Sequence, residues 1–79
     1  MWPNELRIGP HARIRMKQRG ITEGDIQRVL ADPDLTRPGN QPDRTVYERD
    51  LGRVVCVVAV NDSDPTEVIT AFTLSLIHI

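Results

Sequence analysis

Residues 9–33 read GPHARIRMKQRGITEGDIQRVLADP, and the punctuation of this stretch decides the first half of the fold. Gly9 and Pro10 open a helix, because proline has no amide hydrogen to lose in a first turn whose amides are unpaired anyway. Gly20 closes it as the residue that takes a left-handed conformation without a Cβ clash. Thr22 then starts a second helix. Its hydroxyl accepts from the amide of Asp25, the Asp25 carboxylate accepts from the amide of Thr22, and Ile21 staples onto Ile26 across the turn. Ile26, Val29 and Leu30 give this helix a buried face at i, i+3 and i+4, and Pro33 stops it by forcing Asp32 out of the helical region. The first helix has a narrower stripe, Ile8, Ala12 and Met16 at four-residue spacing, and Ile14 projects to its opposite side.

Downstream of Pro33 the period changes from helix to strand. Residues 33–44 are rich in Pro, Gly, Asn and Asp and read as an irregular connection with a short edge strand around Leu35 to Arg37. Thr45 to Asp50 alternates as a strand, Asp50-Leu51-Gly52-Arg53 is a tight turn, and Arg53 to Val60 is a β-branched run suited to a central strand. Asn61 to Pro65 makes a second turn and Glu67 to Phe72 closes the sheet. The expected fold is α+β, with two N-terminal helices packed on a three- to four-stranded antiparallel sheet. One domain is expected over residues 1–73. The last six residues, Leu74-Ser75-Leu76-Ile77-His78-Ile79, resemble a translated transposon-type sequencing adaptor. They are read as a non-native tail and left out of the fold, and His78 out of any site.

In a chain of 79 residues, folding hides only about 60% of the surface that the unfolded form exposes, so the core must be thin. The single cysteine, Cys56, lies in the apolar run from Val54 to Val60 and reads as a small buried hydrophobe. With no His or second Cys at ligand spacing, no metal and no other cofactor is expected. No apolar run approaches the ~20 residues of a membrane span, and the start lacks the pattern of a signal peptide, so a cytoplasmic setting and no membrane partner are expected. The formal net charge is −1, yet it is distributed unevenly. Residues 6–20 hold five basic residues and no acid, whereas eight acids and four arginines follow Ala31. Such asymmetry points to a local anion site on a nearly neutral molecule.

That site is expected along the first helix. His11, Arg15 and Arg19 fall within a sector of roughly 80°, beside the Ala12 and Met16 stripe. They would put one imidazole and two guanidiniums along the side of a groove between helix and sheet, where a guanidinium fork holds phosphate oxygens well. Cleavage of a phosphodiester without a metal needs a group that moves protons, cations that neutralise the developing charge, and usually a hydroxyl or phenol that places the scissile group. His11 fits the first role and Arg15 and Arg19 the second. Tyr47 and Arg49, which share a strand face by period two, and Thr70 in the last strand are the remaining candidates. Arg49 joins Arg15 and Arg19 as a phosphate-binding residue. The competing structural reading has Arg15 and Arg19 paired with Glu48, Asp50 or Glu67, Tyr47 as a core aromatic, and Arg53 solvated at its turn.

The run His11-x3-Arg15-Met16-x2-Arg19-Gly20-Ile21-Thr22 is followed by Val29-Leu30-Ala31-Asp32-Pro33. Val46-Tyr47-Glu48-Arg49, Gly52-Arg53-Val54-Val55 and Val68-Ile69-Thr70-Ala71-Phe72 complete the set. These motifs resemble the domain of unknown function 4258 family, over nearly all of the chain from Pro10 to Phe72. That family is similar to the RelE, BrnT and barnase-like group of small toxin ribonucleases. The resemblance implies a RelE-like two-helix layer on an antiparallel sheet, His11, Arg15, Arg19, Tyr47 and Thr70 at motif positions, an RNA-cleaving activity, and a cognate antitoxin as protein partner. The chain departs from typical members in a longer Pro-rich link before Tyr47.

The leading expectation is a metal-independent, toxin-like endoribonuclease that cuts RNA by attack of its own 2′-hydroxyl. The alternative is a non-catalytic module that binds RNA or an acidic partner through the same basic groove. Helix-turn-helix DNA binding ranks below both, since Glu23 and Asp25 at the start of the second helix would face phosphates.

Overall fold

A computed structural model describes residues 6–63 and 65–74, and the element order is strand, two helices, then four strands. These are β1 (Leu6–Ile8), α1 (Pro10–Arg19), α2 (Glu23–Ala31), β2 (Leu35–Pro38), β3 (Arg44–Asp50), β4 (Val54–Val60) and β5 (Thr66–Leu74). Both helices end where the sequence predicts. Gly20 closes α1 at φ 68° and ψ 31°, and Thr22 caps α2 through the reciprocal bonds with Asp25, both 3.1 Å. Ile21 and Ile26 are both buried in the core.

The sheet is larger than expected and mixed. It has five strands in the order β1-β5-β4-β3-β2, with β2 to β5 antiparallel and β1 running parallel to β5. A strand of three residues is too short to show alternation, and Ile8 satisfies a helical stripe equally well. Ile8 is buried as predicted, but from the end of β1 and not from the helix. The Pro-rich connection also has more structure than expected. It makes the edge strand β2 and a tight hairpin in which the Gly39 amide donates to the Arg44 carbonyl at 2.9 Å. A Cβ at position 39 would lie 3.1 Å from the Cβ of Arg44, so this close approach favours glycine.

Both helices cover one face of the sheet, α1 over β5 and α2 over β4 and β3. Ala12 and Met16 from α1 and Ile26 and Val29 from α2 meet Val55, Val57, Val68 and Ala71 in a single core. An irregularity in β5 shapes that face: Ala59 pairs with Val68 but Val58 pairs with Thr70, which leaves Ile69 as an extra residue. This bulge shifts the parity of the strand, so Val68 and Ala71, three apart, both face the helices. Thr70 and Phe72 turn to the other face, which among the described residues no helix covers. Leu74 pairs with Val54 at the end of β5, and the rest of the expected tail, residues 75–79, lies outside the described residues.

Candidate nucleic-acid interface

Helix α1 begins without a side-chain cap and buries only Ala12 and Met16, so most of its surface is free for polar side chains. His11, Arg13, Arg15, Lys17 and Arg19 are all exposed. Arg13 is tied to Glu23 at the start of α2 by a 3.4 Å contact between two well-exposed groups, which contributes little to stability but orients the helix. At about 100° per residue, His11 and Arg15 each lie about 160° around α1 from Arg13. Their flank therefore faces away from α2. Since α1 lies over β5 and α2 over the strands beyond it, the flank overlooks the β1 edge of the sheet. Among the described residues, His11, Arg15, Lys17 and Arg19 make no ion pair, and the expected pairing of Arg15 and Arg19 with Glu48, Asp50 or Glu67 does not occur.

The other candidates are placed elsewhere. Tyr47 is half-buried on the helix face of β3 and packs against the core. Arg49 lies on the same face and ties β3 to the end of α2: its Nη1 donates to the Arg28 carbonyl at 3.2 Å and lies 4.0 Å from Asp32 Oδ2. Thr70 faces the opposite side of the sheet. The structure thus gathers His11, Arg15 and Arg19 on one helical flank, sets Tyr47 and Arg49 on β3 near α2, and puts Thr70 behind the sheet. Period two predicts Thr70 on the face of Val68, and only the bulge, which leaves no mark in the residue types, removes it.

Arg53 is not merely solvated. Its Nη1 and Nη2 donate to the Arg19 and Gly20 carbonyls, both at 2.6 Å, and so satisfy carbonyls that the end of α1 leaves without helical partners. The β3–β4 turn thereby holds the end of the cationic helix in place.

Sequence reasoning missed a second cluster, on the uncovered face. Glu48 is 8% exposed and accepts from Arg37 Nε at 2.5 Å, with Cys56 beside it on β4. The pair raises the Arg37 guanidinium further above its usual range. Burial, and then the charge of Glu48, push the Cys56 thiol up to about 11. The available signal was the alternation of β3, which puts Glu48 in register with Cys56 and Leu35. Among the described residues, no three His, Cys, Asp or Glu side chains converge as metal ligands would, and no helix is long and apolar enough to cross a membrane.

A helix pair on one face of a mixed five-stranded sheet, with exposed cations on the outer flank of the first helix, defines a small α+β domain with a cationic edge. The chain belongs to the DUF4258 family, a domain of unknown function, whose model matches residues 8–73. No curated protein and no solved structure matches the chain.

Proposed function

We propose that this domain binds RNA through the outer flank of α1, with Arg15 and Arg19 on the phosphates and His11 beside them. One observation carries the reading. Arg15 and Arg19 stand one turn apart on one flank and make no ion pair among the described residues, whereas Arg13, Arg37, Arg49 and Arg53 are tied to partners within the fold. Arg7 on β1, Lys17 on the α2 side of α1 and Arg28 on α2 also make no ion pair among the described residues but form no such row. A row of guanidiniums one helical turn apart suits successive phosphates and confers little preference for base sequence. The similarity expected between the family and RelE- and BrnT-type domains would favour RNA over other polyanions.

Binding of a fluorescent single-stranded RNA, followed by anisotropy across a salt series, tests the reading. Affinity should fall steeply with salt, and Arg15→Gln and Arg19→Gln should each lower the slope of log K against log salt by about 0.7 to 1. A slope unchanged in both variants removes the flank as the site.

A second reading is metal-independent cleavage by 2′-hydroxyl attack. It draws on the position of His11, exposed and one turn from Arg15, where an imidazole could move a proton beside a bound phosphate. Tyr47, Arg49 and Thr70 lie away from that flank, so cleavage there would rest on His11 and the arginines alone. RNA incubated with the protein in chelator should then be cut by the native chain and left intact by His11→Ala, which should still bind. A toxin role further predicts a neighbouring gene whose product, as antitoxin, protects the RNA.

A further inference from the structure

The central strand carries a signal that the fold leaves unanswered. An antiparallel strand with one solvated side alternates apolar and polar residues, and β3 does so by placing Arg44, Glu48 and Asp50 on the open face. β4 instead reads Val54-Val55-Cys56-Val57-Val58-Ala59-Val60, apolar at every position, which is the pattern of a strand covered on both sides. Only one side is covered. On the open face Val54, Val58 and Val60 are half-buried, as is Phe72 beside them on β5, and Leu35 on β2 is 53% exposed. Among the described residues no helix lies over them.

The charges on the same face are polarised along the strands. Asp50 stands at the end of β3 in register with Val54, and Arg44 at the end in register with Val60. Asp50 makes no ion pair among the described residues, and Asp34, whose Oδ2 accepts from the Asp50 amide at 3.0 Å, adds a second carboxylate to that end. Arg44 has a side chain 30% exposed, and its contact with Asp43, at 3.9 Å, is beyond bonding range. An acidic end, an apolar middle and a basic end make a surface complementary to itself.

Tyr47 and Val57 are in register, so a two-fold axis running across the strands at that level places β3 on β3 and β4 on β4 of a second copy. Position 44 then meets position 50 of the other copy, and 54 meets 60, because both pairs are centred on the axis. Aligned sheets lie about 10 Å apart with strands about 30° off parallel, which displaces each end of β3 by about 5 Å, a distance an arginine side chain spans. The face offers roughly 450 Å² of flat area per copy, from about 4.8 Å between strands and about 3.3 Å per residue. The roughly 900 Å² of a pair, before side-chain relief is counted, lies near the ≈ 1,000 Å² lower limit of specific interfaces and fits a reversible dimer of about micromolar affinity.

We propose that the domain self-associates as a two-fold dimer through the open face of its sheet. Val54, Val58, Val60 and Phe72 form the middle of the interface, and Arg44 pairs with Asp50 of the partner subunit at both ends. The helices lie on the outer sides of this pair of sheets, so the flank of α1 stays free and the dimer is independent of the RNA-binding reading.

Sedimentation velocity of the full chain between about 1 μM and about 1 mM should show a reversible rise from monomer to dimer. Asp50→Arg and Arg44→Asp should each weaken the dimer by at least about tenfold, since like charges then meet at both ends, and the double variant should restore most of the loss. Circular dichroism checks that each variant is folded, and the exposed Asp50→Arg carries the test alone if Arg44→Asp is not. Isotope-filtered NOEs in a mixture of labelled and unlabelled chain should join valine methyls of β4 across the two copies. A chain monomeric throughout, with the face left to some other partner, would overturn the proposal. So would a dimer that Asp50→Arg leaves unweakened, or filtered NOEs that run from the helices instead of β4.

Discussion

The two faces of the sheet hide their side chains by different means. On the helix face, Val57 and Ala71 are fully buried because Ala12, Met16, Ile26 and Val29 lie over the sheet. On the other face Cys56 is equally buried, yet no described helix lies above it. Its cover comes from the sheet itself, from Glu48 and Phe72 in register with it on either side and from Arg37 reaching across to Glu48. Long amphipathic side chains can roof a sheet by lying along it, with polar ends outward. A residue can thus be buried without belonging to a two-layer core.

The sharpest way to break this comparison is a pair of truncations at neighbouring residues that point to opposite faces. Val57→Ala should cost about 2–3 kcal/mol, the loss of two methylenes plus the cavity left under the helices. Val58→Ala, on the half-buried open face, should cost about 1 kcal/mol or less. Urea unfolding of both variants measures this, and equal losses would mean that the open face is covered as tightly as the other. Next in size, Gly20→Ala should cost about 1 kcal/mol, because φ 68° disfavours a Cβ even though the nearest Arg53 atoms, at 3.7 and 3.8 Å, leave room for one.

A smaller effect should appear only in alkali. The Cys56 thiol is raised in the folded state, so the unfolded chain loses this proton first as pH rises. Its contribution is fully present below the ordinary thiol range and fades as pH climbs from about 9 to about 11. The urea midpoint of the native chain should therefore fall more over that window than that of Cys56→Ala, and parallel curves would show that the thiol is not shielded. The smallest effect belongs to Ile14, 57% exposed on α1, where Ile14→Lys should shift stability by no more than about 0.5 kcal/mol in thermal melts.

The first half of the fold was legible because its signals are local. A proline, two glycine and threonine boundaries and one reciprocal cap act within a few residues of each other, and α1 and α2 follow them. The strands β3, β4 and most of β5 were legible by their β-branched runs. What escaped depends on partners distant in the chain. β1 is defined only by lying beside β5, the bulge only by the register of β5 on β4, and Glu48 is buried only because β2 and β4 flank it. The candidate site divides in the same way. The cationic flank of α1 is a property of one helix and could be read from spacing, whereas the relation of Tyr47, Arg49 and Thr70 to it is a property of the whole sheet.

The parallel seating of β1 against β5 has a consequence for how the molecule is made. Among the described strands, the most N-terminal is completed by the most C-terminal, since Leu6 to Ile8 register with Thr66 to Val68. Until that distant segment is in place, the early strand and the helix joined to it lack their main partner in the sheet. Closing so large a loop slows folding more than it weakens the finished fold, which makes the docking of the charged helix on β5 a non-local step.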